Sequence, residues 1–410
     1  MRGIRFVICL IMILSAVLLP NYVEKVDAKA AGTKVLHTFE IPKDISWQMY
    51  VVNKEKNLVL FNGDDYISYD SSTFREVSRL KNTFDSCEVS YDKMLLLCYR
   101  PTEDRTIIKN PAIYSLPNYK LIVDFTEIVS PFVYQDEPHW IFDENGKDIY
   151  QYHIANKGNK KVEFTIVHLD LALGKATTLV KEQPEYLIGP DRGAELYDDD
   201  RYVHRSTINH AIPIVFNFGY HNSNVILLNP KDGKIVKVIS GTYVTYYDPI
   251  KAKKMVVSSG NKNSSDGISN VLSTTDYKLL YTISDPDYGG PFIFDEITNE
   301  DKSMLILSLF KNSKAAIRSY SIADGKPIGK IVLSSKAWIK PIKGNYIYIS
   351  DNLMLDNPQR NKWIVNMRTS KTVYIFPKNT QIHPEFGYGS NIIIMSSGKL
   401  QVVDYSAFLK

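Results

Sequence analysis

Few residues in this 410-residue chain are spaced for catalysis. A serine hydrolase of the nucleophile-elbow kind needs G-x-S-x-G, which does not occur; Gly387-Tyr388-Gly389-Ser390 only approaches it, on a turn between strands. Ser-x-x-Lys occurs at Ser78–Lys81, Ser90–Lys93, Ser259–Lys262, Ser308–Lys311 and Ser396–Lys399. That nucleophile needs a helix to bring Lys beside Ser, and all five copies lie in strand-and-turn contexts. His139, His153, His168, His204, His210 and His221 crowd the middle of the chain, and His204 with His210 is the first pair to test as metal ligands. No H-E-x-x-H or alternate-residue pair supports them, so they read as scattered polar histidines, with no metal and no cofactor implied. Asp198-Asp199-Asp200 lacks the alternating oxygens and sharp-turn glycine that calcium requires. Trp47, Trp140 and Trp338 recur near the start of three strands. There an indole either stacks on a sugar or peptide at an exposed face or packs between neighbouring sheets, where other copies carry Phe or Tyr.

The elements that must position these residues repeat. A short apolar strand, a polar turn and a second apolar strand return at 66–80, 112–125, 165–180, 225–239, 270–283, 317–333 and 363–376. Asp, Ser, Asn or Gly forms the turn each time, between β-branched and aromatic runs. A less regular hairpin precedes each of these, most clearly at 139–154, where Asn145-Gly146 predicts a type I′ turn. An aromatic-Asp pair marks the inner hairpins at Tyr91-Asp92, Phe142-Asp143, Tyr247-Asp248 and Phe294-Asp295. Four strands every 40–60 residues, with no helical period, predict an all-β fold: a single β-propeller of four-stranded blades. The count reads as eight blades, or seven depending on how Gln183 to Arg205 is assigned.

An eighth outer hairpin begins at 400–410 without its second strand, and a matching strand stands at 33–41. A toroid of sheets has an open seam unless the two ends of the chain share a blade, so the N-terminal strand is expected to close the last one.

The repeats resemble bacterial β-propellers of the TolB and YVTN types and the propellers attached to prolyl-oligopeptidase-like enzymes. The resemblance rests on Phe142-Asp143-Glu144-Asn145-Gly146-Lys147-Asp148-Ile149-Tyr150 and on the outer turns Leu171-Ala172-Leu173-Gly174-Lys175 and Ala323-Asp324-Gly325-Lys326. It spans the whole chain after residue 30 at the level of fold. The family's Ser-Pro turn dipeptide and a Gly-His…Trp-Asp signature are both missing.

The first thirty residues read as a secretory signal: Arg2 and Arg5, then the apolar run Phe6–Leu19, then Ala28-Lys29-Ala30, with cleavage after Ala30. The alternative is an uncleaved N-terminal anchor. The propeller domain is then 31–410, secreted or held in the cell envelope, with no membrane span of its own. Cleavage removes four basic and two acidic residues from totals of 49 and 45, so the net charge falls from +4 to +2 and gives no argument for nucleic acid. Cys87 and Cys98 flank Asp92-Lys93 symmetrically. A two-residue turn there would place them opposite each other as a disulfide; two buried thiols are the alternative.

The expected function is non-enzymatic binding or scaffolding, with a protein, peptide or glycan recognised at one face. The loops Gly189–Arg205, with Tyr197 and Tyr202, and Tyr281–Phe292 are the candidate recognition elements. The competing expectation is a lactonase-, lyase- or glycosidase-like enzyme with its site at the central channel.

Overall fold

The computed structural model describes residues 33–410 apart from 41–48, 102–107, 126–139, 185–205, 261–266, 285–291, 352–360, 383–388 and several stretches of one to five residues. The described residues form eight antiparallel sheets, seven of four strands and one of three. In chain order the sheets span Met49–Lys81, Ser86–Asp124, Trp140–Pro184, Ile212–Ser240, Tyr243–Ser284, Phe292–Leu333 and Ala337–Ile375. Strands within each follow chain order, as successive hairpins require.

The eighth sheet is the exception. Its three strands Gln381–Ile382, Asn391–Ser396 and Lys399–Asp404 take Lys34–Glu40 as their fourth, which runs antiparallel to Lys399–Asp404 from Lys34 opposite Asp404 to Glu40 opposite Lys399. Among the described residues the only helical element is the 3-10 turn Ser406–Phe408, and no helix is long and apolar enough to cross a membrane.

Burial follows strand position. Middle strands such as Lys161–Asp170 are mostly buried, whereas outer strands such as Glu76–Lys81 and Lys120–Asp124 face solvent. The buried side chains gather between neighbouring sheets rather than in one centre. One cluster joins the second and third sheets through Leu97, Tyr99, Trp140 and Val167, and another joins the third and fourth through Phe164, Ile166, Ile212 and Ile226. A further cluster takes residues from the seventh, eighth and first sheets together: Tyr348, Tyr374, Val402, Phe39 and Leu58.

One turn recurs between the last two strands of the sheets. Asp70, Asp170, Asn229, Ser273, Ser321 or Asn366 opens it and accepts the backbone N–H two residues on with its side-chain oxygen. The fifth residue is left-handed each time, as is Tyr119 at the corresponding place in the second sheet: Phe74, Tyr119, Gly174, Gly233, Tyr277, Gly325 and Ser370 have φ between 49° and 73°. This residue meets the outer strand of the preceding sheet. Where it is glycine that strand fills the space a side chain would take: a Cβ would lie 3.2 Å from Val123 at Gly174, 2.7 Å from Lys181 at Gly233 and 2.9 Å from Tyr281 at Gly325. Where it is aromatic, the ring itself packs on the preceding sheet, as Phe74 does on His37 and Phe39.

Two details of the sequence reading change. Asn145-Gly146 is not a type I′ turn, because only Gly146 is left-handed (φ 66°). Gly146 donates its N–H to the Asp143 carbonyl, a type I turn with a left-handed glycine after it. Nor are the aromatic-Asp pairs equivalent. The same turn opens at Ser90, Asp143 and Asn299, each of which donates its N–H to the carbonyl five residues on, with Lys93, Gly146 and Lys302 left-handed. Asp295 instead falls inside the strand Phe292–Thr298. The loop between Ser90 and Leu95 is longer than two residues but shares the same centre, so Cys87 still faces Cys98; the two form a disulfide with Cα atoms 4.1 Å apart.

Candidate functional site

Tyr197, Tyr202, His204 and Trp47 lie outside the described residues. Trp140 is fully buried between the second and third sheets, 5.9 Å from Tyr99 ring to ring. It therefore fills a joint and presents no face to a ligand. Trp338 is partly buried in the first strand of the seventh sheet. Tyr281 is in the outer strand of the fifth sheet, where its hydroxyl donates to the carbonyl of Ile322 in the sixth. Among the described candidate residues, His210 and His168 enter accessible polar groups.

The His210 group forms where the third sheet meets the fourth. The strand Trp140–Phe142 ends at Asp143, and Thr207 hydrogen-bonds alongside it, donating its N–H to the Phe142 carbonyl (3.0 Å). Ile208 and Ala211 exchange backbone hydrogen bonds around Asn209-His210, both left-handed at φ 48° and 60°. Two positive φ values at the centre are what a type I′ turn requires, and they project His210 back over the third sheet.

Asp143 is buried, so its carboxylate needs partners. Oδ1 accepts the Thr207 hydroxyl at 2.8 Å and Oδ2 accepts the Asn145 N–H at 3.2 Å. Both oxygens also face His210 Nδ1, at 3.2 and 3.3 Å. Glu144 closes the other side: its Oε1 accepts the His210 backbone N–H (3.2 Å) and lies 3.6 Å from His210 Nε2. Ser90 and Asn299 do a similar job in the second and sixth sheets, where their side-chain oxygens accept the N–H of Leu95 and Met304. Asp143 is thus a turn cap of the repeat that has acquired a histidine partner.

A second pair lies beside it. His168 Nε2 is 2.7 Å from Asp148 Oδ1, and its ring stacks on Tyr150 at 4.9 Å. Burial, followed by the charges of Asp148, Asp143 and Asp170, raises the Tyr150 phenol well above its ordinary value. Between the two pairs is a recess of about 410 Å³ lined by Asn145, Asp148, Tyr150, Asn209, His210 and Lys231, among others. Asn209 anchors its rim to the fifth sheet by donating to the Thr274 carbonyl and the Tyr277 hydroxyl, both at 2.7 Å. Sequence reasoning singled out His210, and read Asp143 and Glu144 as hairpin residues, but did not bring them together, because they are 67 and 66 residues away.

No protein-family model and no characterised protein sequence matches the chain. Solved structures do. The Dos1 propeller shares 13% identity over 91% of this chain and 95% of its own, with a TM-score of 0.50. The fold is a β-propeller. A prolyl endopeptidase aligns at 10% identity over 83% of this chain and 50% of its own, TM-score 0.51, so the propeller here spans about half of that enzyme. BamB from Moraxella catarrhalis aligns over 91% of this chain and 100% of its own at 10% identity and a TM-score of 0.46. Such identities speak to fold alone.

Proposed function

We propose that this propeller is a closed eight-bladed ring, exported by cleavage after Ala30, that binds a partner protein, peptide or glycan non-enzymatically through the face carrying its outer turns. The recess between Asp148, Tyr150 and His210 carries the reading: it is open, lined with donors and acceptors, and built on turns fixed by the repeat. A general base would have to offer a substrate a free ring nitrogen. Both His210 nitrogens instead face carboxylates, and the Thr207 hydroxyl donates to Asp143 while accepting the Glu144 N–H, so neither is poised as base or nucleophile. The disulfide between Cys87 and Cys98 agrees with an oxidising compartment. The TolB- and YVTN-type relationship rests on turn chemistry and belongs to this reading as well.

The test is affinity capture from the extracellular fraction with the mature chain, beside a variant carrying Tyr150→Phe and His210→Ala. A partner held by the parent and lost by an equally stable variant supports the reading. Undiminished capture by the variant, or no partner for either, overturns it. Mass spectrometry of the secreted chain should find its N-terminus at Ala31; a chain retaining residues 1–30 contradicts export by cleavage.

A further inference from the structure

The eighth outer turn opens like the others and then departs from them. Asp404 Oδ1 accepts the Ser406 N–H at 2.7 Å, just as Asp70 accepts that of Ser72 (3.0 Å) and Asn366 that of Arg368 (3.0 Å). The chain then enters the 3-10 turn Ser406–Phe408 instead of returning as a strand, and Lys34 arrives opposite Asp404 from elsewhere. The place where seven sheets have a continuous hairpin is therefore an open end.

Beside that open end is a recess of about 620 Å³. It draws Lys34 and His37 from the N-terminal strand, Ser72, Thr73 and Phe74 from the outer turn of the first sheet, and Lys343 from the seventh sheet. Lys34 and Lys343 are exposed, and neither ammonium is within ion-pair distance of a carboxylate among the described residues; Asp404 feels Lys34 only at longer range. Burial lowers the pKa of His37, so it is neutral at pH 7 and contributes a ring, stacked on Phe74 at 4.8 Å with the planes 7° apart. The Ser72 and Thr73 hydroxyls both donate to Asp70 Oδ1, at 2.6 and 3.0 Å. Their protons are committed; Thr73 Oγ1 also accepts the Arg75 N–H at 3.4 Å, and each oxygen keeps a lone pair to accept from a ligand. Two exposed cations without a carboxylate in ion-pair contact, two hydroxyl acceptors and an aromatic wall suit a molecule that is anionic at one end and rich in hydroxyl donors at the other.

We propose that this recess binds a small hydroxylated anion of the sugar-acid or sugar-phosphate class, and that occupancy holds the N-terminal strand in its blade. The lining belongs to three sheets and to the one strand with no hairpin tether. The complete site exists only when that strand is seated, so a ligand that binds it stabilises the seated state by mass action.

The test uses the mature chain with sodium glucuronate, glucose 6-phosphate, neutral glucose or sodium sulfate at matched ionic strength. Either sugar anion should raise the melting midpoint by about 2–4 °C near saturation, and should slow hydrogen exchange at the amides of Lys34–Glu40. Which of the two acts identifies the acid group. Glucose and sulfate should do neither. The exposed pair Lys34→Gln with Lys343→Gln should melt like the parent without ligand and should not respond to the anions. No shift with either sugar anion, an equal shift with sulfate, or an undiminished response in the double variant overturns the proposal.

Discussion

Where the eighth sheet meets the first, the left-handed turn position holds Phe74; where the third meets the fourth, it holds Gly233. At the first joint the ring of Phe74 lies against His37 and Phe39 of the preceding sheet. At the second the preceding sheet does the filling, with Lys181 and Leu179 occupying the volume a side chain would need. One backbone geometry thus accepts two packing solutions, according to which partner supplies the bulk. The glycine joint is unstrained but intolerant of substitution. The aromatic joint stores the cost of a left-handed non-glycine residue, about 1–2 kcal/mol, and offsets it with contact made across the seam.

The two solutions separate under mutation. The largest effect is expected at Gly329, where the outer strand of the sixth sheet passes over the turn of the seventh. A Cβ there would collide with the Met367 carbonyl oxygen, a backbone atom. Gly329→Ala should lower stability by about 3 kcal/mol in chemical denaturation; a loss below 1 kcal/mol would mean that the joints are not close-packed. Next is Phe74. Phe74→Ala removes the ring but keeps the strained backbone, so it should cost about 2 kcal/mol. Phe74→Gly should cost about 1 kcal/mol less than that, because the strain goes too. Equal losses would remove the strain from the comparison.

Smaller still is the contrast between two turn glycines. Gly325→Ala meets both the left-handed backbone and Tyr281, whereas Gly146→Ala meets nothing within 4 Å. The first should cost about 2 kcal/mol and the second about 1 kcal/mol; the reverse order would point to the turns rather than the joints.

The smallest effect concerns His37. Its folded pKa is lowered by burial from 6.5, so below that value the unfolded chain binds the proton more readily. Stability contributed by the neutral ring is present above pH 6.5 and is lost as the pH falls through it. His37→Phe keeps a stacked ring without a titrating group. Its melting midpoint should fall less steeply between pH 7 and 5 than that of the parent, in which His153 is also lowered by burial. Identical slopes would remove His37 from the account.

The outer hairpins are legible in the sequence because their turn residues carry the turn chemistry openly, from Asp70 to Asn366. The split repeat is legible for the same reason: Asp404 opens the eighth copy, and Lys34–Glu40 supplies the strand. What stays hidden is the equivalence of Phe74, Tyr119 and Tyr277 with the turn glycines, since an aromatic residue gives no local sign of positive φ. Asn209-His210 hides similarly. It is a left-handed turn without glycine, so its histidine draws attention as a ligand rather than as a turn residue, while Asn145-Gly146 advertises a type I′ turn although only Gly146 is left-handed. Asp143 and Glu144 look like hairpin residues and are, and their second role toward His210 depends on two sheets coming together.

Removal of the closing strand tests the central claim most directly. Residues 42–410, set beside residues 31–410, lack a whole outer strand together with buried Phe39 and its contacts to Tyr69 and Phe74. Calorimetry of the two chains side by side should show a much lower midpoint and a broader, less cooperative transition for the truncated one. If the truncated chain melts at the temperature and with the sharpness of residues 31–410, the N-terminal strand does not close the ring.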